Sequence, residues 1–352
     1  MKLISFSLNN SKEKQFGVVI GDHVISFEKL QHLSNYFTPL LSNMSEYLQG
    51  LPESEQHAHK LYTYALDIFS DNKTESFFSL EDIQLFAPIP NPPAVFDFGL
   101  SPEHLLNAGY TLINHEFKGI LKPILRKILV RALRQSTEKY NMPYYKCNHL
   151  SISGPFDTLV WPSYTSYLDI EPELGVVIGH SEVDPLTDHV KVSIAGYVIM
   201  NDVSARDVQL PDFRTLCGPA RSKDFDKSIG IGPYFVTPDE VATPLSLDVT
   251  VKIGKNNRLS WNGSTSDYVT HPQEVVDYLS TIFTPPPGTI IGMGTIPGCC
   301  GLDNNQWLIP GDIVEISIQG LGTLKQFIPS ELKPLQPSRW KNRKELRAYY
   351  KK

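Results

Sequence analysis

The sequence predicts an α+β fold in which β structure dominates, and two observations support this. From Tyr144 onward, short runs of alternating apolar residues are separated by turn residues, as in strands that bury one face. Leu247, Val249, Val251 and Ile253 alternate in this way before a Gly-Lys-Asn-Asn turn. Before Tyr144, several segments instead carry the apolar spacing of helices. We therefore expect sheets that form the main core and helices that accompany them.

The composition is that of a soluble globular chain. The 352 residues are 41% apolar and 20% charged, enough for one large domain or two. A net charge of −6 and a pI near 5.9 predict no general attraction to nucleic acid or to an anionic membrane. The N-terminus lacks the apolar core of a signal peptide, and no apolar run is long enough to span a bilayer. We expect a cytoplasmic protein.

The four cysteines show no CxxC spacing, which favours a reducing compartment and argues against structural zinc. Cys299 and Cys300 are adjacent, so they could oxidise to a disulfide. We favour packing in the apolar core for both.

Residues 1–90 are predicted to form a small N-terminal domain. Helix-compatible sequence extends from about residue 28 to 68, and four prolines between residues 85 and 93 mark the domain boundary. Three short strands are predicted before the helices, at Lys2–Leu8, Phe16–Ile20 and His23–Phe27.

Residues 91–335 are predicted to form the main domain. It begins with a strand that contains Asp97, followed by a helix with Ser101 as its N-cap and Pro102 in its first turn. An amphipathic basic helix at residues 117–135 is interpreted as an insertion spanning about 115–136. It could contact a membrane or an acidic partner, but we favour a helix packed on the core with a solvated basic face.

The end of the chain follows the same alternation of strands, turns and one helix. The basic tail, residues 336–352, is predicted to be a solvated or frayed helix. Before it we predict a helix at His271–Phe283, a Gly-rich loop at Gly292–Gly298, and strands at Ile313–Ile318 and Thr323–Ile328.

Four carboxylates are candidate metal ligands. Glu171 and Glu173 are two residues apart in an extended apolar segment, so their side chains share one face. Asp202 ends a second apolar run that could lie beside the first, and Asp97 lies in a third. A set of oxygen ligands suits Mg²⁺, Ca²⁺ or Mn²⁺ rather than zinc. The alternative interpretation of these carboxylates is ordinary surface charge. Pro172 predicts a bulge or an edge strand.

Three further side chains are candidates for contact with a ligand. Arg206 would either clamp a substrate carboxylate or form a structural ion pair, and the sequence favours neither. Lys223 could stabilise an enolate or an oxyanion, unless it is an ordinary surface lysine. Thr295 lies in the Gly-rich loop, which can bring backbone N–H groups close to a ligand.

Taken together, several segments resemble the fumarylacetoacetate hydrolase family. They are LDIEPELGVVIG, GYVIMNDVSARDVQ, KDFDKSIGIGP, IIGMGTIPG and PGDIVEISIQGLGTL, in the family's order. AVFDFGLSPEHLLNAG resembles the fumarylacetoacetase branch. The resemblance implies a roll of mixed β sheets behind a small N-terminal domain, and a homodimer.

The resemblance also implies residue roles. His104 would be the general base, and Lys223 would act in catalysis. No residue of the Cys299–Trp307 loop is identified as the glutamate that pairs with the histidine in the family. The cation would be Mg²⁺ in preference to Ca²⁺ or Mn²⁺, and its ligands would be Asp97, Glu171, Glu173 and Asp202. The residues that would contact the substrate are Arg206, Gln209, Lys223 and Thr295.

The implied activity is metal-dependent hydrolysis of a carbon–carbon bond in an acylpyruvate or β-diketo acid such as fumarylacetoacetate. The alternatives are a decarboxylase, hydratase or tautomerase of a 2-oxo acid on the same scaffold, and a non-enzymatic protein that binds small molecules. The expected ligand in every case is a small keto acid.

Overall fold

The computed structural model describes residues 1–71, 74–137, 142–183 and 190–351. The strands are β1 Lys2–Leu8, β2 Gln15–Ile20, β3 His23–Ser26, β4 Phe78–Ser79, β5 Ile83–Leu85, β6 Val95–Phe98, β7 Tyr144–Lys146, β8 Ile152–Ser153, β9 Leu168–Asp169, β10 Pro172–Val183, β11 Val190–Asp202, β12 Ser204–Ala205, β13 Ile229–Val236, β14 Asp248–Ile253, β15 Leu259–Ser264, β16 Ile290–Gly292, β17 Ile313–Ile318 and β18 Gly322–Phe327. The helices are α1 Phe27–Ser34, α2 Met44–Gln49, α3 Glu53–Ser70, α4 Pro102–Glu116, α5 Leu121–Thr137, α6 Arg206–Arg214, α7 Ala220–Lys223, α8 Pro272–Ser280 and α9 Gly301–Asn304.

Two sheets carry the fold. The larger has the order β4-β3-β2-β1-β13-β11-β10-β16-β6-β7, with β5 beside β1 and β8 beside β13. It is mixed, because β6 runs parallel to β16 and β8 parallel to β13. The smaller sheet has the order β15-β14-β17-β18, and apolar side chains of both sheets meet in one core. The predicted α+β, β-rich fold is confirmed.

The N-terminal strands extend the larger sheet. β1 pairs antiparallel with β13, placing Lys2 opposite Val236 and Leu3 opposite Phe235. Phe27 of α1 and Leu61 of α3 share a second apolar cluster with residues of β10 and β11. The first residues of the chain therefore bury apolar surface against the main sheet. The domain boundary near residue 90 stays a prediction about separate folding units.

The helix that carries His104 begins as the sequence predicts. The Ser101 hydroxyl accepts a hydrogen bond from the His104 backbone N–H at 3.2 Å, and Pro102 occupies the first turn. This cap satisfies one of the unpaired N–H groups of the first turn. The cap therefore fixes where α4 starts, and with it the position of the His104 side chain.

The basic helix α5 departs from our favoured interpretation. One face packs closely on α4. Leu129 of α5 lies against Gly109 of α4, where an added Cβ would be only 2.3 Å from a methyl group of Leu129. The opposite face is not covered by the core. It exposes the aliphatic side chains of Leu121, Ile124 and Ile128, with Ile120 just before the helix. The interpretation as a core-packed helix is thus right for one face only.

The C-terminal tail is not the solvated or frayed helix that we predicted. Trp340 and Leu346 are buried, and the Arg343 guanidinium donates hydrogen bonds to the carbonyls of Ser166 at 3.0 Å and Leu308 at 2.8 Å. The prediction was wrong because it rested on the number of charged residues in this segment. The free energy gained by burying a few apolar side chains and by the hydrogen bonds of the Arg343 guanidinium is larger than the cost of ordering the segment, so the tail packs on the protein.

The cysteines are all free thiols. Cys147, Cys299 and Cys300 are buried, whereas Cys217 is exposed. The predicted packing of Cys299 and Cys300 is confirmed, since both have 0% exposure. Within the described parts of the chain, no helix has both the length and the apolar character needed to cross a membrane.

Candidate metal and acid–base site

The four predicted carboxylates converge at one end of the larger sheet. Asp97 lies in β6, Glu173 in β10 and Asp202 at the end of β11, while Glu171 immediately precedes β10. One oxygen from each lies within 4.8 Å of the others, and all four side chains are buried. The sheet order β11-β10-β16-β6 explains this, because the three ligand-bearing strands are separated only by the short strand β16.

Pro172 is accommodated differently from our prediction. It is the first residue of β10, which lies between β11 and β16 and is therefore not an edge strand. The register shifts of β10 occur further along, near Val177 and Ile178. A proline at the start of a strand removes no hydrogen bond from the ladder interior, so no bulge is needed.

Two glycines make room for the Glu173 carboxylate. A Cβ added at Gly292 would lie 2.3 Å from Glu173 Oε2, so only glycine allows this approach. The Gly294 N–H donates to the same oxygen at 3.0 Å, from a backbone with φ of +95°. The loop predicted to bring N–H groups near a ligand thus holds a carboxylate. Thr295 follows it directly and is buried.

The electrostatics of the cluster favour the binding of a cation. Burial raises the pKa of Asp97 well above its usual value, and the nearby Asp202 raises it further. Burial and the Asp97 charge raise the pKa of Glu173 in the same way. Among the described residues, Asp97 Oδ1 and Glu173 Oε1 are buried without a hydrogen-bond partner. Clustered carboxylates with free oxygens fit a hard divalent cation such as Mg²⁺ or Mn²⁺.

Lys223 is not an ordinary surface lysine. Its ammonium group is buried and donates to Glu171 and to Asp202. The Tyr145 hydroxyl also donates to Asp202, because β7 places Tyr145 opposite Asp97. Sequence analysis missed Tyr145. Lys223 therefore holds one side of the carboxylate cluster and compensates part of its charge.

His104 lies between two carboxylates. Its Nδ1 is 2.9 Å from Asp303 Oδ1, and its Nε2 is 3.5 Å from Glu171 Oε1. Burial alone would lower the pKa of His104, but the hydrogen bonds with Asp303 and Glu171 raise it to about 9. An imidazole oriented by a carboxylate on Nδ1 is the usual arrangement for moving a proton at Nε2.

Asp303 is the partner that sequence analysis did not find. Its other oxygen accepts a hydrogen bond from the Gly298 N–H at 2.9 Å, which fixes the carboxylate toward His104. The family resemblance implies a glutamate as the partner of the histidine, whereas the Cys299–Trp307 loop supplies a shorter acid, Asp303, from the four-residue helix α9. Asp303 is the only acidic residue of that loop, and this was the available signal.

Arg206 forms a buried ion-pair network. Its Nε donates to Asp169 at 2.9 Å, while an Nη lies 2.8 Å from Glu171 Oε1 and another contact of 3.2 Å reaches Gln209. Burial alone would raise the pKa of Glu171, but Arg206 and Lys223 hold it well below its usual value. The structure thus pairs Arg206 with carboxylates of the protein, and Gln209 with Arg206.

Asp169 is a second functional neighbour that sequence analysis missed. It accepts hydrogen bonds from the backbone N–H groups of Gly301 at 2.7 Å and Leu302 at 2.8 Å. It therefore caps α9, the helix that carries Asp303, while it also binds Arg206. Asp169 and Arg206 connect the carboxylate cluster to the helix that orients His104.

We expect Arg206→Met to lower the free energy of unfolding by about 3–5 kcal/mol, because it leaves the buried Asp169 without its cation and Glu171 with Lys223 alone. Urea denaturation measures this loss. Arg214→Met, on the exposed end of α6, is the matched control and should change stability by less than about 0.5 kcal/mol. Equal small losses in both variants would contradict the network.

Comparisons with known proteins agree with this geometry. Residues 127–328, more than half of the chain, match the family model described as fumarylacetoacetate (FAA) hydrolase C-terminal. The chain is 34% identical over 180 residues to 2,4-didehydro-3-deoxy-L-rhamnonate hydrolase of Sphingomonas. That match covers 51% of this chain and 61% of the relative's length.

Two solved structures share the fold over most of the chain. Maleylpyruvate hydrolase of a Sphingobium species, solved with manganese(II) and pyruvate, has a TM-score of 0.60 at 20% identity, covering 94% of this chain and 99% of that one. 5-Carboxymethyl-2-hydroxymuconate delta-isomerase of Mycobacterium smegmatis has a TM-score of 0.60 at 21% identity, covering 95% and 100%. The match of the family model shows that the chain belongs to the fumarylacetoacetate hydrolase family.

Proposed function

We propose that this protein is a divalent-metal-dependent hydrolase that cleaves a carbon–carbon bond in an acylpyruvate or a related β-diketo acid. The observation that carries the proposal is the His104–Asp303 pair beside the carboxylate cluster, with His104 Nε2 3.5 Å from Glu171 Oε1. This arrangement places a proton-transfer group next to a site for a hard cation, and hydrolysis of a 1,3-dicarbonyl compound needs both.

The residues that would hold the cation are Asp97, Glu171, Glu173 and Asp202, whose oxygens converge. When bound, a divalent cation supplies a Lewis acid that polarises a keto oxygen of the substrate. The maleylpyruvate hydrolase of similar fold contains manganese(II) together with pyruvate. A cation and a 2-oxo acid therefore fit this fold, which supports the same pairing in this chain.

His104 would move the protons. In its neutral form, His104 would accept a proton at Nε2 from a water molecule as that water adds to a carbonyl carbon, while Asp303 stabilises the resulting imidazolium through Nδ1. The carbon–carbon bond then breaks, and the leaving carbon departs as an enolate. Return of the proton from His104 to that carbon completes the reaction and gives a carboxylic acid and a ketone product. Lys223 would keep the cluster in place through Glu171 and Asp202.

An isomerase or tautomerase is the second candidate. The specific reason is the similar fold of the 5-carboxymethyl-2-hydroxymuconate delta-isomerase. A decarboxylase or hydratase would use the same cluster, so the carboxylates alone do not separate these reactions. The non-enzymatic alternative had its main support in the missing partner of His104, and Asp303 removes that support. The homodimer and the place in the fumarylacetoacetase branch stay predictions.

The test is an ultraviolet assay with acylpyruvates, maleylpyruvate, fumarylacetoacetate, oxaloacetate and 5-carboxymethyl-2-hydroxymuconate, in Mg²⁺ or Mn²⁺ and then in chelator. We expect loss of the diketo absorbance, formation of a carboxylic acid, and loss of activity when the metal is removed. Turnover of oxaloacetate alone would identify a decarboxylase. Conversion of the muconate without bond cleavage would identify an isomerase.

His104→Ala serves as the control within this assay. Hydrolysis requires a base to activate water, so the variant should lose at least about 100-fold in kcat. Full activity of His104→Ala on any substrate of the panel would contradict the hydrolase proposal for that substrate.

A further inference from the structure

We propose that His104, Cys300 and Asp303 form a second metal site, specific for thiophilic cations such as Zn²⁺, whose occupation switches off His104. This group lies behind the imidazole, on the side away from the carboxylate cluster. The thiol of Cys300 is 3.9 Å from His104 Nδ1, and Asp303 Oδ1 is 2.9 Å from the same nitrogen. One ligand atom from each residue lies within 4.8 Å of the others.

The spacing of these atoms is close to that of a tetrahedral zinc site. Ordinary Zn–S, Zn–N and Zn–O bond lengths place sulfur and nitrogen about 3.6 Å apart and nitrogen and oxygen about 3.3 Å apart. Cys300 and His104 would therefore have to approach by about 0.3 Å, and His104 and Asp303 to separate by about 0.4 Å. Rotation of side chains provides movements of this size without a change of the backbone.

The backbone already holds the three ligands in position. Cys300 is the N-cap of α9, and its sulfur accepts a hydrogen bond from the Asp303 N–H at 3.4 Å. The Gly298 N–H binds Asp303 Oδ2, so Oδ1 is the oxygen that points to His104. The Asp169 carboxylate accepts hydrogen bonds from the first two N–H groups of the same helix. Three protein donors with one tetrahedral position left for water are a known arrangement of zinc ligands, and these three donors are held in place before any metal binds.

The two sites differ in the cations that they favour. The carboxylate cluster offers only oxygen and suits Mg²⁺ or Mn²⁺, whereas a thiolate, an imidazole and one carboxylate suit Zn²⁺. Zinc binding releases the proton of the Cys300 thiol to solvent and displaces the hydrogen that His104 Nδ1 donates to Asp303, so that the neutral imidazole keeps its single hydrogen on Nε2. Mg²⁺ has little affinity for such a set, so working concentrations of Mg²⁺ would leave it to zinc.

Zinc on Nδ1 would remove the basic atom of His104. A neutral imidazole has one N–H, and with Nδ1 bound to the metal that hydrogen must be on Nε2. Nε2 then has no lone pair to accept a proton from water. This consequence for activity rests on the proposed function, whereas the existence of the site does not.

The chain offers a matched control for the thiol. Cys299 is adjacent, equally buried and free, but its sulfur faces β15, where it would lie 2.7 Å from a Cβ added at Gly263. Cys300→Ser keeps an N-cap oxygen for α9 and removes the thiol, and Cys299→Ser removes a thiol that faces the core. Both are made in a Cys217→Ser background, because the exposed Cys217 would bind added metal by itself.

The experiment uses Co²⁺ as a spectroscopic substitute for Zn²⁺, in excess Mg²⁺ to fill the carboxylate cluster. We expect one equivalent of Co²⁺ to give a near-ultraviolet thiolate-to-cobalt charge-transfer band in the background protein and in Cys299→Ser. Cys300→Ser should lack the band and bind Zn²⁺ at least about tenfold more weakly in competition with a chromophoric chelator. His104→Ala, which keeps Cys300, should weaken binding as well.

The outcomes separate the site from the activity. The absence of the band in the background protein, or its persistence in Cys300→Ser, would overturn the proposal whether or not a substrate is known. If Cys300→Ser does not fold, a full band and unchanged Zn²⁺ affinity in His104→Ala would overturn it. Where a substrate is found, stoichiometric Zn²⁺ should reduce the activity of Cys299→Ser at least about tenfold and spare Cys300→Ser. Equal inhibition of both would also contradict it.

Discussion

Glu173→Gln is expected to abolish metal-dependent turnover and, at neutral pH, to stabilise the metal-free protein. The first effect follows from the loss of a charged ligand whose Oε1 has no hydrogen-bond partner in the described parts of the chain. Lewis-acid catalysis contributes several kcal/mol, so we expect turnover to fall on the order of 1,000-fold. The second effect is a gain in the free energy of unfolding, which would not occur if Glu173 served only to stabilise the fold.

The stabilisation follows from the raised pKa of Glu173. Burial is the largest cause, and the charge of Asp97 adds to it. A carboxyl group whose pKa is raised by folding favours the folded state when it is protonated. That contribution is present below the unfolded pKa and is lost as the pH rises through the folded pKa. At neutral pH, which is above the unfolded pKa, folding of the metal-free wild type must either bury this charge or bind a proton, and glutamine avoids both costs.

Chemical denaturation with and without Mg²⁺ measures both effects. The metal-free variant should be more stable than the metal-free wild type at neutral pH, and the difference should shrink as the pH is lowered. Mg²⁺ should stabilise the wild type by mass action and leave the variant unchanged. Glu182→Gln, on the exposed part of β10, is the control and should keep the metal response. A metal-dependent shift of normal size in Glu173→Gln would exclude Glu173 as a ligand.

The position of the carboxylates could be predicted from the sequence because it depends on local rules. Alternation along an extended segment places Glu171 and Glu173 on one face. The antiparallel pairing of β10 with β11 puts Asn201 opposite Pro172, and the next residue of β11, Asp202, therefore lies beside Glu171. The start of α4 at Ser101 was equally predictable, since an N-cap and a proline in the first turn are local signals.

The surroundings of His104 depend on contacts that no local rule supplies. Asp303 is 199 residues from His104 in the chain, and Tyr145 reaches Asp202 through the order of strands in the sheet. The state of Arg206 was open for the same reason, because the Asp169 carboxylate that pairs with it lies in a separate short strand. Sequence predicts which residues can do chemistry, whereas tertiary packing decides which of them are already paired.

Asp303→Asn is expected to reduce kcat by about 100-fold or more while leaving metal binding intact. Asp303 accepts hydrogen bonds at both oxygens, from the Gly298 N–H and from His104 Nδ1. Asparagine has a single acceptor oxygen, so it can serve only one of these donors. It also lacks the negative charge that stabilises an imidazolium. Steady-state kinetics on whichever substrate of the panel is turned over would measure the loss.

A matched control is available two residues further along the chain. Asn305 Oδ1 lies 2.9 Å from His115 Nε2, a similar contact between this loop and α4 but outside the acid–base pair. Asn305 has a φ of 51°, which glycine adopts without strain, so Asn305→Gly removes the contact and keeps the turn. This variant should retain kcat within about threefold, as expected for an exposed hydrogen bond of about 1 kcal/mol.

The comparison of Asp303→Asn with Glu173→Gln tests whether proton transfer and cation binding are carried out by separate groups of residues. If His104 and Asp303 move protons and the carboxylates hold the cation, both variants lose turnover, but only Glu173→Gln loses the stabilisation by Mg²⁺. Loss of the Mg²⁺ response in Asp303→Asn would instead mean that Asp303 acts by holding the loop that shapes the carboxylate cluster. Normal turnover in Asp303→Asn would remove His104 from the chemistry, because its orienting partner would then be dispensable.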